Sequence, residues 1–516
     1  MKTMIHMDEH EWLAALPKDE YNERRIQNAH PANWENPKPA DVYNVVVIGG
    51  GSGGLIVAII AASLGAKVAL VEKHLMGGDC LNTGCVPSKA MIRSAKVMGE
   101  IMHAHRFGIE TNGAKVNFDQ VMRRIRQVQA EISPVDSVWR YTEEGVDVFL
   151  GHGRFTGRNT LQVGSATLRF KKAIIATGSQ PYVPAIEGLA VAGFLTNETV
   201  WNLTTQPRRL AVVGGGPIGS ELAQAFQRLG TQVIQFHNAD HLLNREDADA
   251  AEIVQRAFVR EGIKLILNAK VGRVELKDGE KIVHYSCPAE GSGTVAVDEI
   301  LVATGRVPNT RDLGLEQASV KVNERGSLIV NDYLQTTNRR IYGVGDVALP
   351  YQFTHAAAAT GKLVVQNALF LGRKKFSSLT MPWTTYTDPE IAHVGMYEHQ
   401  AREQGIEIDT YHVKFEENDR AQADGEEEGF VKIHTRKGSD KILGATVVAR
   451  AAGEIINEIT LAMVAGIGLG KLSDVIHPYP TQAEAIVRAA GQYRRTRLTP
   501  TIQKVFTGWM SLTRKL

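Results

Sequence analysis

The run Gly77-Gly78-Asp79-Cys80-Leu81-Asn82-Thr83-Gly84-Cys85-Val86-Pro87-Ser88-Lys89 constrains this chain more than any other stretch. It contains two of the three cysteines in 516 residues. On one regular helix these positions would be separated by about 7.5 Å of rise and would face different sides. A disulfide needs Cα atoms within roughly 4.4–6.8 Å. The spacing therefore predicts a turn that folds back at Cys80, helped by Gly84, and a helix that begins at Cys85. Pro87 suits the first turn of that helix, where its missing N–H costs nothing. A thiol at a helix N-terminus meets free N–H groups and the positive end of the dipole, which favour its thiolate. On spacing alone two readings stay open: a pair that is readily oxidised and reduced, or two buried cysteines acting as small hydrophobes. A zinc site is disfavoured, because no second cysteine pair or paired histidines accompany the run.

The neighbourhood narrows the choice. Val45-Val46-Val47-Ile48 is a continuous apolar run, the pattern of a parallel strand buried on both faces. Gly49-x-Gly51-x-x-Gly54 follows, then a helical stretch over 55–64, the strand Val68-Ala69-Leu70-Val71, and Glu72 at its end. A lone GxGxxG is weak, but a strand before it, a helix after it and an acid some twenty residues on make a dinucleotide site. A second unit repeats the pattern with Leu210-Ala211-Val212-Val213, Gly214-x-Gly216-x-x-Gly219 and Val233-Ile234-Gln235-Phe236, closing on His237 and Asn238. Each unit is followed by a strand ending in Ala-Thr-Gly, at Ala176-Thr177-Gly178-Ser179 and at Ala303-Thr304-Gly305-Arg306. The repetition predicts two similar nucleotide domains. Between the cysteine helix and the first of these strands, 121–144 reads as one long amphipathic helix, with short strands at 146–150 and 160–163.

With these motifs in place, the block GGDCLNTGCVPSK resembles the redox-active segment of the class I pyridine nucleotide-disulfide oxidoreductases. That family includes dihydrolipoamide dehydrogenase, glutathione reductase and mercuric reductase. The resemblance implies an α/β fold with two Rossmann-like nucleotide-binding domains, for FAD and NAD(P), plus a C-terminal α+β dimerisation domain. Residues 1–41, polar and with Pro31, Pro37 and Pro39 clustered near their end, read as a docked or mobile extension, and the resemblance implies a FAD domain over 42–197, carrying the redox disulfide. An NAD(P) domain over 198–320 and a FAD return segment over 321–381 follow. An interface domain over 382–492, expected to carry a mixed sheet, and a basic tail over 493–516 complete the chain.

The same resemblance implies the site residues. Gly49, Gly51, Gly54 and Glu72 would hold the ADP half of FAD, with Gly153, Thr177, Gly178 and Ser179 nearby. Asp346, in Gly343-Val344-Gly345-Asp346, would bind the ribityl chain. Thr354 would cap a helix whose start faces the flavin, and His355 beside it reads as packing rather than catalysis. Gly214, Gly216, Gly219, His237, Asn238, Val271 and Gly305 would surround NADPH or NADH. Family members that prefer NAD usually carry Glu where His237 stands. His237, or Arg245, could instead favour the 2′-phosphate of NADPH, while Gly219 is the residue more typical of NAD users. Electrons would pass from NAD(P)H through FAD to a Cys80–Cys85 disulfide, with Cys85 beside the flavin and Cys80 as the outward, attacking sulfur. Lys89, one turn beyond Cys85, would pair with Glu221.

One departure bears on the acceptor. The family places a histidine directly before Pro-Thr and a glutamate five residues after it, and that histidine protonates the leaving thiol across a homodimer. Here Glu484 is kept, but the histidine position holds Tyr479 in His477-Pro478-Tyr479-Pro480-Thr481. Free tyrosine titrates near pH 10, against about 6.5 for histidine. His477 could substitute. Mercuric reductases resemble this chain in having tyrosine here, yet they carry a C-terminal cysteine pair that this chain lacks; some also carry an N-terminal metal-binding domain, and no cysteine precedes Cys80. The acceptor implied is a small molecule or a metal ion: Hg²⁺ or another thiophilic ion first, a small disulfide second. A redox-sensing flavoprotein is the third reading. Cys287 reads as structural, and no bound metal is expected.

Composition sets the remaining bounds. A net charge of +2 gives no global reason to expect nucleic acid. Three cysteines in this length point to a reducing, cytoplasmic setting. Neither a signal peptide nor an uninterrupted apolar run of about eighteen residues is present. From Tyr493 the chain carries Arg494, Arg495, Arg497, Lys504, Arg514 and Lys515 and no acid, with Ile502, Val505, Phe506 and Trp509 interleaved. A solvated end is the plain expectation; weak contact with a membrane surface is the alternative.

Overall fold

Residues 13, 15–288, 291–370 and 372–514 are described by the computed structural model of the chain. Two units form, Met1–Leu242 with Glu261–Leu379 and Leu243–Arg260 with Thr380–Leu516.

In the first unit, the strand Tyr43–Ile48 pairs in parallel with Val68–Glu72 on one side and with Ala166–Ile175 on the other. Val146–Leu150 and Ile341–Gly343 extend this parallel sheet at its two edges. Val45 and Val47 point into a core shared with Leu55, Ala58 and Val364, while Val46 and Ile48 point into another with Phe149, Phe155 and Phe170. Both faces are covered over 45–48, which is why that run of the strand is apolar at every position. The first half of Ala166–Ile175 turns antiparallel with Thr160–Val163, which in turn pairs with Gly153–Gly157.

The same plan recurs. Lys264–Ile266, Gln232–Phe236, Arg209–Val213 and Glu299–Val302 form a parallel sheet in that order. An antiparallel meander of Lys270–Lys277, Glu280–Cys287 and Gly291–Val297 accompanies it. Cys287 is buried in the core of this half.

The two Ala-Thr-Gly turns meet. Ser179–Pro181 pairs antiparallel with Arg306–Pro308. The Asn309 N–H donates to the Gly178 carbonyl at 3.0 Å, and the Tyr182 N–H donates to the Gly305 carbonyl at 2.9 Å. Thr177 Oγ1 donates to the Asn309 carbonyl at 2.7 Å, and Thr304 Oγ1 to the Tyr182 carbonyl at 2.9 Å. The near-copies in sequence are thus pseudo-symmetric partners in a two-stranded ribbon.

Two expectations need correction here. The long helix predicted over 121–144 is broken into Phe118–Ile132, a 3₁₀ turn Ser133–Asp136 and Val138–Glu143. Pro134 offers no N–H to a continuing helix, and Ser137 caps the next one by accepting the Arg140 N–H at 3.1 Å. Of the two readings of the extension, docked or mobile, its described part takes the first. Its helix Glu20–Ala29 is tied by the Arg126–Asp19 and Arg123–Glu20 ion pairs, and Trp34 Nε1 donates to the Val148 carbonyl at 3.3 Å.

The second correction concerns the second unit, whose five-stranded sheet is antiparallel throughout rather than mixed. Its order is Pro382–Thr385, Glu390–Gly395, Ile442–Ala449, Phe430–Arg436, Ile408–Lys414. Phe430–Arg436 and Ile442–Ala449 are joined by a short hairpin, a connection only antiparallel strands allow. The helix Ala452–Ala465 covers one face. The helix Ala248–Arg260, which falls inside the 198–320 span, belongs to this unit. Nearly buried Lys432 holds its approach through Asp247 at 2.6 Å and Asp249 at 2.9 Å. Glu246 accepts from Trp383 Nε1 at 2.8 Å.

Candidate active site

The site begins with the glycine turns. Gly49 and Gly214 both have positive φ, +108° and +121°, at the ends of their strands. A Cβ on Gly49 would strike the Ala176 carbonyl, and one on Gly214 the Ala303 carbonyl, so each first glycine lies against its own Ala-Thr-Gly strand. A Cβ on Gly54 would strike the Gly49 carbonyl, and one on Gly219 the Gly214 carbonyl. These glycines bring helix against strand. The helices Ser52–Ser63 and Pro217–Arg228 start after Gly51 and Gly216, and neither has a side-chain cap. Their first N–H groups are left for an anion. Around Gly216 a Cβ would meet nothing within 4 Å, which leaves a cradle open to a pyrophosphate.

The two acceptors at the strand ends differ. Glu72 is buried; its Oε2 accepts the Gly50 N–H at 2.6 Å and its Oε1 the His74 N–H at 2.7 Å. Burial raises its pKa, and these backbone bonds oppose the rise. At the second glycine turn His237 Nδ1 accepts the Gly215 N–H at 3.1 Å, and burial lowers its pKa. Asn238 beside it is exposed. Val271 lies in the apolar core with Leu189, Ile300 and Val302, so its side chain serves packing. Gly153 packs likewise, since a Cβ there would press on Val71 and Leu161.

The redox block folds tightly. Cys80 sits inside a short helix, Gly78–Asn82, where an open turn was expected; Thr83 and Gly84 then lead to Cys85, the first residue of Cys85–His103. A Cβ on Gly78 would collide with Gly51 Cα, so the block lies directly on the first phosphate turn. Both thiols are free and share a hydrogen bond. That bond lowers the Cys85 pKa to about 6, helped by Lys89 and Thr354 against the opposing effect of burial. The Cys80 thiol is pushed up by the same bond and by its own burial. Cys85 Sγ lies 3.3 Å from Thr354 Oγ1. The cap expected of Thr354 is not made: Phe353 is the N-cap residue, Thr354 opens the helix Thr354–Leu369, and its hydroxyl turns to the thiol. His355 is exposed and stacks on Phe353, centroids 5.3 Å apart. Lys89 Nζ meets Glu221 Oε2 at 2.8 Å, as the motif positions implied.

A cluster around Arg306, which takes in Ser179 and Asp346 of the expected FAD site, joins the block to the ribbon. Arg306 donates from Nε to Ser179 Oγ at 2.7 Å and lies 3.1 Å from Asp79 Oδ2. Ser179 Oγ donates to Asp346 Oδ2 at 2.6 Å. Burial raises the Asp346 pKa, and burial together with Asp79 raises Glu198 to about 7.

In the second unit, Tyr479 is 70% exposed and its hydroxyl donates to Asp419 Oδ2 at 2.8 Å, away from a pairing with Glu484. That bond raises its pKa. Glu484 opens the helix Glu484–Thr496 with Arg488 3.8 Å away. His477 Nε2 meets Glu458 Oε2 at 2.8 Å, and its side chain is only 9% exposed. Asp419 and Glu458 lie far along the chain from their partners, and no spacing announces them.

Comparison with known proteins agrees with this geometry. The profile of the pyridine nucleotide-disulphide oxidoreductases matches residues 43–361, and that of their dimerisation domain matches 381–490. Mercuric reductase of Staphylococcus aureus is 35% identical over 448 residues, 87% of this chain and 82% of its own. Dihydrolipoyl dehydrogenase of Bacillus subtilis (strain 168) is 33% identical over 468 residues, 87% of this chain and 98% of its own. Among solved structures, LpdA from Mycobacterium tuberculosis superposes with a TM-score of 0.79 at 28% identity, covering 87% of this chain and 99% of its own. The HOCl-induced flavoprotein disulfide reductase RclA from Escherichia coli does so with 0.77 at 29%, covering 87% and 99%.

Members of this family use FAD and NAD(P)H, and the two uncapped helix starts, each backed by a buried acceptor, fit the two nucleotides. With a redox cysteine pair set on the first turn and a C-terminal dimerisation domain that supports a homodimer, the chain belongs to the pyridine nucleotide-disulphide oxidoreductase family.

Proposed function

We propose that this enzyme oxidises NADPH and passes the electron pair through Cys80 and Cys85 to a soft metal ion of the Hg²⁺ type. The observation that carries the proposal is Tyr479, exposed and donating to Asp419, with its pKa raised. Such a hydroxyl keeps its proton through neutral pH, so it cannot do the work of a histidine acid, worth roughly 10²–10⁴-fold. A disulfide acceptor needs that proton at its leaving thiol; a metal ion held by two thiolates needs none. Soft thiolates select such ions.

Bound FAD supplies the relay between the nicotinamide and the sulfur pair. The chain's own residues do the rest. Cys85 holds its thiolate through the Cys80 thiol, Lys89 and Thr354. Cys80, its proton leaving to solvent, binds the incoming ion with Cys85. Lys89 and Glu221 neutralise each other beside them. The sum is NADPH + Hg²⁺ → NADP⁺ + Hg⁰ + H⁺, which balances in atoms and electrons. Mercuric reductases among the relatives support the metal reading, as does a Cu(II) complex of Escherichia coli RclA. His237 in place of an acid supports NADPH over NADH.

His477 paired with Glu458 favours a second reading, a small disulfide protonated by histidine, but the imidazole is 9% exposed and engaged. Homodimerisation would cover apolar Leu461, Val464 and Ile476, the last 95% exposed. Steady-state NADPH oxidation with Hg²⁺, Cu²⁺, lipoamide, glutathione disulfide and quinones tests the assignment. Hg²⁺ should give the largest kcat/KM; a larger value with lipoamide overturns it.

A further inference from the structure

The last helix, Pro500–Thr513, has no buried residue. It lies past residue 490, where the dimerisation-domain match ends, so the family's shared architecture does not account for it. It is nevertheless built as a helix. Thr499 caps it by accepting the Ile502 N–H at 3.4 Å, and Pro500 fills the first turn. At the helical period, Ile502, Val505, Phe506, Trp509 and Met510 fall on one face. Val505 is 65% exposed and Trp509 60%. Lys504, Thr507, Ser511 and Arg514 take the other side.

Charge says what could cover that stripe. Between residues 485 and 516 the chain carries Arg488, Arg494, Arg495, Arg497, Lys504, Arg514 and Lys515 and not one Asp or Glu. Arg494 is paired with Asp474, and Arg488 lies near Asp419 and Glu484. Arg495, Arg497, Lys504 and Arg514 are exposed. If the stripe packed on its copy about a two-fold axis, these cations would be brought together with no acid to offset them. An anionic lipid surface satisfies both faces at once: indole and phenyl rings settle at the headgroup boundary, and the cations meet phosphates. A helix of this length runs about 21 Å, short of the roughly 30 Å hydrocarbon core, so it can lie on a bilayer and cannot cross it.

We propose that the helix Pro500–Thr513 is an interfacial anchor that docks the enzyme on anionic lipid bilayers, with Phe506 and Trp509 as its inserted residues. The test is flotation of the full-length FAD-loaded protein with phosphatidylcholine vesicles, with or without about 30 mol% phosphatidylglycerol. A Phe506→Glu/Trp509→Glu double variant is floated beside it. Absorbance of the bound flavin reports that each protein is folded, and light scattering gives its mass. The wild type should float only with anionic vesicles, and high salt should lower its bound fraction about ten-fold. The double variant should stay at the bottom with mass and flavin absorbance unchanged. Equal flotation on neutral vesicles, or none on anionic ones, overturns the proposal. So does a change of solution mass in the double variant, which would assign the stripe to a contact between copies.

Discussion

His237 Nδ1 accepts the Gly215 N–H at 3.1 Å, the counterpart of the bond that Glu72 Oε2 accepts from Gly50 at 2.6 Å. The imidazole therefore fills the structural half of the carboxylate's task. With Nδ1 as acceptor and the ring kept neutral by burial, the proton sits on Nε2, which is a donor. A donor does not accept from a ribose diol, and it does not repel a 2′-phosphate. His237→Glu should move the ratio of kcat/KM for NADPH to that for NADH about ten-fold or more toward NADH, a difference of about 1.4 kcal/mol. Steady-state kinetics with both nucleotides reads the change. An unmoved ratio would remove His237 as the determinant.

Thr354 Oγ1 stabilises the Cys85 thiolate across 3.3 Å. In the reduced enzyme, iodoacetamide labelling of Cys85 should fall away as pH drops through about 6, where the thiolate takes up its proton. Thr354→Val removes one donor to a charged group and should raise that midpoint by about one unit. Peptide mass mapping across pH separates Cys85 from Cys80, whose thiol titrates higher. Identical midpoints for the two proteins would show that the hydroxyl contributes nothing.

Tyr479→His restores a group that titrates near neutrality beside Glu484. Lipoamide reduction should rise about 10²-fold, with Hg²⁺ turnover little changed. Tyr479→Phe should alter neither by much, because the native hydroxyl is exposed and bound to Asp419. A large loss of Hg²⁺ turnover in the phenylalanine variant would give Tyr479 a direct role in that chemistry.

Gly54 and Gly216 should fail differently. Gly54→Ala drives a methyl into the Gly49 carbonyl and should cost about 2 kcal/mol or more, releasing FAD. Gly216→Ala places its methyl in open space, so Tm and flavin absorbance should hold. KM for NADPH should still rise about ten-fold, because the pyrophosphate loses its close approach. Thermal melts and nucleotide titrations distinguish the two outcomes.

Much of the architecture was legible because it follows from rules that act over a few residues. An apolar run with no polar alternation is a strand covered on both faces, and Val45–Ile48 is one. Gly49 and Gly214 mark turns that need positive φ, and Cys85 after Gly84 marks a helix start. The likeness of the two Ala-Thr-Gly segments was visible; their pairing was not, since antiparallel register between residues more than a hundred apart depends on how the two nucleotide units meet. Pro134 breaks the long helix that periodicity predicts over 121–144, because one missing N–H outweighs a continuous apolar period.

The chain order alone determined the glycine turns, the cysteine pair and the absence of a histidine before Pro480-Thr481, while the Lys89–Glu221 pair was implied by the family resemblance. Folding in three dimensions decided which polar group each of these meets. Tyr479 found Asp419 rather than Glu484, His477 found Glu458, Arg306 found Asp79, and Ala248–Arg260 joined the second unit through Lys432. Backbone sterics and hydrophobic period are local and leave a mark in the sequence. A buried charge or hydroxyl takes whichever partner packing brings within about 3 Å, and that partner can lie anywhere along the chain.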